Sequence, residues 1–213
     1  MRLVRHPAPA FGRYYCPMAD SNPVSETLDR YRRATDTFDA VIRAVPAHQW
    51  EAQSPCELWK AIDVAGHGIG IQWMIAGWAE TGEQPAVDWS RPRDMAGPDP
   101  LASWVAACER TTRALTPEAL ERTIPSRLMG DVPLRQLLQL FIIDTAIHSW
   151  DLGTATGQEV HLDPDLVSQA FALVRAAPAD MLRSPGGFGP ELTPPEGADE
   201  QARLLAFLGR KVA

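Results

Sequence analysis

Five histidines, His6, His48, His67, His148 and His161, are the residues on which chemistry in this sequence turns. His148 closes the run Leu137-Leu-Gln-Leu-Phe-Ile-Ile-Asp144-Thr-Ala-Ile-His148-Ser-Trp-Asp151, four residues after Asp144. Residues four apart share one face of a helix, so Leu137, Phe141, Asp144 and His148 form one stripe. A carboxylate and an imidazole in so apolar a run need partners, because an unpaired buried charge is expensive. A metal ion satisfies both at once; a plain buried Asp–His pair, or a pair on a solvated edge, is the competing reading. His67 sits in Val64-Ala-Gly-His67-Gly-Ile-Gly70, on the apolar side of its own predicted helix. Alone it reads as a satisfied core histidine. With Asp144 and His148 it completes a set of two histidines and one carboxylate, and three protein ligands leave a coordination position open, as catalytic metal sites do.

The remaining candidates are weaker. His6 lies in the N-terminal stretch, His48 stands beside Trp50 in a connection, and His161 precedes the helix start Asp163-Pro164. Cys56 follows Pro55 near a helix start, where a thiol pKa can be lowered, but it reads first as a small packed residue. Trp59, Trp73, Trp78, Trp104 and Trp150 read as core, with room for some of them to line a pocket. No nucleophile elbow, phosphate loop or dinucleotide fingerprint stands in context.

Helices must position these residues. Leu28, Tyr31, Thr35, Phe38, Val41, Ile42 and Val45 recur at helical spacing from Ser25, a candidate N-cap, to Pro46. A second helix is predicted over about 60–80, ending at Thr81-Gly82. Its Gly66, Gly68 and Gly70 each weaken it by roughly 1 kcal/mol relative to Ala, which points to the close approach of something else. Residues 82–99 read as a long loop that could close over the site. Pro100 opens a third helix ending near Thr116-Pro117. Residues 120–133 are strand-like at Thr123-Ile124 and Arg127-Leu128, with a turn at Gly130-Asp131. A fourth helix starts at Pro133 and runs to about 155. Further helices are expected over 163–177 and 198–209, and 184–197 reads as a loop. Residues 1–22 read as a flexible leader and 23–213 as one domain. The sum is an all-α chain: a four-helix bundle with a long crossover connection and additional C-terminal helices, a fold that builds its sites in the core from facing helices.

Composition narrows the function classes. Over 213 residues the net charge is −7, which excludes a broadly basic surface for nucleic acid. No apolar run is long enough to span a membrane. Three separated cysteines argue against a disulfide framework, and the cytoplasm is the expected compartment. Of 20 basic residues 18 are Arg, and Ala occurs 30 times, a bias of GC-rich bacterial genomes.

At its chemical residues the sequence resembles the DinB-like metal-binding proteins of actinobacteria, in the branch related to mycothiol-dependent maleylpyruvate isomerase. Three stretches carry the resemblance: Ser54-Pro-Cys-Glu-Leu-Trp59-Lys-Ala-Ile-Asp63-Val-Ala-Gly-His67; Asp144-Thr-Ala-Ile-His148-Ser-Trp150-Asp151-Leu-Gly-Thr-Ala-Thr-Gly157; and Phe188-Gly-Pro-Glu-Leu with Arg203-Leu-Leu-Ala-Phe-Leu-Gly-Arg210. The resemblance implies a DinB-like four-helix bundle with a divalent metal in its core, zinc first, with nickel or iron as alternatives. His67, Asp144 and His148 match the family's ligands. The isomerase has Glu where this chain has Asp144, and relatives in the branch often have Asp. Trp150 and Asp151 would belong to the pocket rim or to the shell behind the ligands, Asp151 reaching His148 only by curling back across the helix end. The isomerase also carries a second, C-terminal domain, whereas the stretch after Gly157 reads as helices plus a loop; other mycothiol-linked substrates are therefore open. The implied partners are a small-molecule thiol, mycothiol, and an electrophilic substrate, with a homodimer allowed. A metal-dependent hydrolase without thiol, a non-catalytic metal- or partner-binding protein and a non-haem iron oxygenase are the alternatives.

Overall fold

In the computed structural model the described residues are 23–126, 129–183 and 188–212. In chain order they form α1 (Pro23–Arg43), α2 (Ala61–Thr81), α3 (Pro100–Ala114), a single-turn α4 (Pro117–Leu120), strands β1 (Thr123–Ser126) and β2 (Gly130–Pro133), then α5 (Leu134–Ala155), α6 (Pro164–Ala176), a single-turn α7 (Ala179–Leu182) and α8 (Glu200–Phe207). The architecture is all-α apart from one small hairpin. α1 packs on α5 and α3, and α2 packs on α3 and α5, which closes the four long helices into a bundle. α6 joins α5 and α8 at one end.

Local sequence explains these elements. α1 is described from Pro23 on, and Ser25 lies inside it and is not its N-cap. Its buried stripe is Thr27, Tyr31, Ala34, Phe38, Val41 and Ile42. α3 and α6 open with proline behind capping carboxylates, Asp99 and Asp163. α2 and α5 are buried almost all round, as expected of the bundle's inner helices. The core divides along the axis into two clusters. One holds Phe38, Val64, Ile69, Trp104 and Ile147; the other holds Tyr31, Ile71, Ile75, Leu134, Leu138 and Ile142.

Three details differ from expectation. Gly130 and Asp131 belong to β2, where they pair with Ser126 and Pro125, and so do not form the turn; Arg127-Leu128 lies outside the described residues. Pro133 is the N-cap of α5 instead of its first residue. The single turns α4 and α7 are too short to show a periodic signal. The 1–22 stretch lies outside the described residues, as does 184–187.

The glycines of α2 mark where the 82–99 loop lies against it. A Cβ on Gly66 would sit 2.0 Å from the Pro92 carbonyl oxygen, and one on Gly70 would sit 3.2 Å from the Trp89 ring. Pro92 opens a short 3-10 turn, Pro92–Met95, within that loop. Helix propensity alone would make Gly66→Ala stabilising by about 1 kcal/mol. Overpacking against a backbone oxygen instead predicts a loss of about 1–3 kcal/mol in urea unfolding. A Gly66→Ala protein as stable as wild type would remove this contact from the account.

The same loop anchors the start of α2. Asp63 accepts from the Lys60 backbone N–H at 2.9 Å and from Arg93 Nε and Nη2 at 2.9 and 3.1 Å. Burial opposes its charge, but the Arg93 guanidinium and the Lys60 amide hold the Asp63 carboxyl below the usual carboxylate range. A depressed native pKa contributes stability that is present above the unfolded value of about 3.9 and lost as pH falls through the native one. Asp63→Asn is expected to cost about 1–2 kcal/mol at pH 7. The gap between urea midpoints of the two proteins should narrow below about pH 4; a gap independent of pH would contradict the ion pair.

Candidate metal centre

α5 carries Asp144, His148 and Asp151 along one face, and α2 presents His67 to them. His67 Nε2 lies 3.0 Å from Asp144 Oδ2, and His148 Nε2 lies 3.7 Å from Asp144 Oδ1. The two imidazole centroids are 4.8 Å apart, edge to face. One donor atom from each of the three residues lies within 4.8 Å of the others. Two donors bound at about 2.1 Å to one ion can be at most about 4.2 Å apart, and the two separations, one to each Asp144 oxygen, fall inside that limit. The donor set, two imidazoles and one carboxylate, suits zinc and its borderline neighbours.

The orientation of His148 is set from behind. Its Nδ1 lies 2.9 Å from Asp151 Oδ2, which makes Nδ1–H the donor and turns Nε2 toward Asp144. Asp151 is fully buried. It also accepts from Arg210, through Nε to Oδ1 at 3.1 Å and Nη2 to Oδ2 at 2.8 Å, and from the Cys56 thiol at 3.3 Å. Burial works against each of these charges, and the neighbours decide the outcome. The carboxylates of Asp144 and Asp151 hold the His148 imidazole well above its usual range. His148 and His67 hold Asp144 below the carboxylate range. His148 and Arg210 do the same, more strongly, for Asp151.

Cys56, His148 and Asp151 form a second group with metal-like spacing. There the positive charge is already supplied: Arg210 donates to both Asp151 oxygens and lies 3.4 Å from Cys56 Sγ. The His67/Asp144/His148 group has no such cation among the described residues. It also keeps an opening, with 30 % of the Asp144 side chain exposed against 8 % of His148.

Aromatic rings frame the cluster. Residues 53–60 form a self-bonded loop in which Ser54 Oγ donates to the Trp59 carbonyl and accepts from the Cys56 amide. This loop sets the Trp59 ring 4.8 Å from His67 and 5.4 Å from His148. From the 82–99 loop, Trp89 stands 5.3 Å from His67.

The structure thus brings His67, Asp144, His148 and Asp151 together. Asp151 does not have to curl back: α5 continues to Ala155, so residues 148 and 151 are neighbours on one helix face. Trp150 is half-buried against the Phe38–Ile147 cluster, and among the described residues the rings at the centre are those of Trp59 and Trp89. His48 is exposed, and the exposed His161 pairs with Glu159; His6 lies outside the described residues. Sequence reasoning gave no role to Trp89 or Arg210. No spacing rule links Arg210 to a helix 59 residues away, and Trp89 sits in a loop without periodicity.

A ring of four long helices with two imidazoles and a carboxylate converging between two of them defines a DinB-like helical bundle. More narrowly, the chain belongs to the mycothiol maleylpyruvate isomerase N-terminal domain family, whose sequence model matches residues 31–153. It is 31% identical over 190 residues to an uncharacterized protein of Mycobacterium tuberculosis, recorded in two strains, a match covering 88% of this chain and 99% of the relative. The crystal structure of the mycothiol-dependent maleylpyruvate isomerase superposes with a TM-score of 0.56 at 17% identity, covering 72% of this chain and 70% of that one. A histidine-to-alanine mutant of the isomerase gives 0.54 at 19% identity over the same shares. At such identity the likeness establishes the fold.

Proposed function

We propose that the chain is a divalent-metal-binding, mycothiol-dependent enzyme of the transferase or isomerase type, with His67, Asp144 and His148 as the metal ligands. The observation that carries this reading is the convergence of those three donor groups, with the far nitrogen of His148 already held by Asp151. Metal-ligating histidines characteristically donate their other N–H to a carboxylate in this way. Zinc is the favoured ion; nickel or iron would fit the same donors. When bound, the ion supplies the Lewis acidity that draws a coordinated thiol toward its thiolate.

The chain's own residues do the rest. Asp144 contributes a carboxylate that, unlike Asp151, accepts no arginine hydrogen bond among the described residues, and His67 and His148 fix the approach from two helices. Trp59 and Trp89 cover His67 and restrict water on that side, leaving the exposed flank of Asp144 as the route for thiol and electrophile. The net charge of −7 gives no general attraction for nucleic acid, and no helix among the described residues is long and apolar enough to cross a membrane. The cytoplasm is where a reduced small thiol would be met.

The experiment is a titration of mycothiol into cobalt-loaded protein made without a histidine tag. A change in the Co(II) absorption bands is expected as sulfur joins the centre. Unchanged bands at millimolar mycothiol would remove the thiol and favour a hydrolase using metal-activated water, or a binding protein. Loss of fold, not of metal, in His67→Ala would return His67 to the core.

A further inference from the structure

The C-terminal segment touches the centre at one buried side chain, Arg210, which is 5 % exposed. Its placement is built into the backbone. Gly209 turns the chain at φ 80°, and a Cβ there would meet the Gly189 backbone at 2.8 Å, so the position demands glycine. The Arg210 amide bonds the Leu205 carbonyl at 2.9 Å, its Nη1 bonds the Leu208 carbonyl at 2.9 Å, and its guanidinium lies over the Phe188 ring at 5.1 Å. The fork that remains, Nε and Nη2, closes on the two oxygens of Asp151. Arg210 thus holds both Asp151 oxygens, and Oδ2, which also accepts from the Cys56 thiol, is presented to His148 Nδ1.

We propose that Arg210 is a positioning residue for the metal centre: it acts through Asp151 to hold His148 with Nε2 aimed at Asp144 and His67, so the C-terminal segment and the bound metal stabilise one another. The inference rests on the proposed metal ligands. Without the guanidinium the buried Asp151 carboxylate loses the fork that holds both its oxygens and is free to rotate, which releases the imidazole from its fixed aim. Binding linkage is reciprocal, so the metal in turn favours docking of residues 208–210.

The test uses the full chain and zinc, with Arg210→Met, Arg210→Lys, Asp151→Asn and the Asp151→Asn/Arg210→Met double variant. In competition with a chromogenic chelator, the zinc dissociation constant is expected to rise about 10–100-fold in Arg210→Met, the scale seen when such supporting partners are removed. Arg210→Lys keeps the charge but not the fork, and should lose less; it also stands in should Arg210→Met fail to fold. Asp151→Asn should weaken zinc binding on a similar scale, with no further loss in the double variant. The His148 Nδ1 proton, followed by NMR, should be sheltered in wild type with or without zinc and exchange-broadened in Arg210→Met. An unchanged dissociation constant, losses that multiply in the double variant, or an unchanged Nδ1 proton would each overturn the proposal. If wild type takes up no zinc, the metal reading fails, and the Nδ1 proton of the metal-free proteins still decides the role of Arg210.

Discussion

His148→Ala is expected to purify with divalent metal at the background level, whereas wild type made the same way holds about one equivalent. The imidazole is one of three proposed protein donors, and with its loss the remaining pair lies across two helices with no third donor among the described residues. Elemental analysis of the two proteins measures the effect, and far-UV circular dichroism checks that the bundle persists. Removing His148 also frees Asp151 Oδ2 to the donors it retains, Arg210 and Cys56, so the fold has a way to accommodate the change. Equal and negligible metal in both proteins would sink the proposed centre.

The second large effect is on stability. Asp151→Ala strands the Arg210 guanidinium, which is nearly as buried as its partner. Breaking a buried ion pair from one side typically costs about 3–5 kcal/mol, a large share of the 5–15 kcal/mol that holds a typical domain folded. Urea unfolding of metal-free protein at pH 7 measures it. Asp151→Asn, which keeps the shape and an acceptor oxygen, should lose less. A loss under about 1 kcal/mol for the alanine variant would mean that Arg210 finds solvent or another acceptor and that the pair is not the closed unit described.

Much of this arrangement is legible in the residues. The Asp144–His148 spacing within an apolar run points to a buried polar pair, and the glycines around His67 point to close approach, which the Pro92 carbonyl and the Trp89 ring supply. The one-faced patterns of α1 and α3 follow from periodicity, while α2 and α5, buried almost all round, follow from long apolar runs bounded by proline and glycine. What escaped the sequence has no period. Trp89 and Arg210 come from a loop and from the chain beyond α8, and their positions depend on how the segments fold back on the bundle. Asp151 was legible from the expected helix itself, which runs to about 155 and so places residue 151 on the face of residue 148. Gly130-Asp131 was misread because glycine and aspartate favour turns generally, while the pairing with Ser126 and Pro125 decides where the strand begins.

The contacts of the 82–99 loop along α2 divide it into two parts with different freedoms. The Pro92 carbonyl occupies the space a Gly66 side chain would need, so the Pro92–Met95 turn is tied by its backbone to the helix that supplies His67. At Gly70 the loop approaches through side chains: a Cβ there would lie 3.3 Å from Val87 and 3.2 Å from the Trp89 ring. Substitution at 87–90 therefore changes the surface beside His67 while leaving the helix–loop junction intact. If the proposed function holds, scaffold and selectivity are separable in this bundle, and a search for altered substrate range belongs in that four-residue stretch.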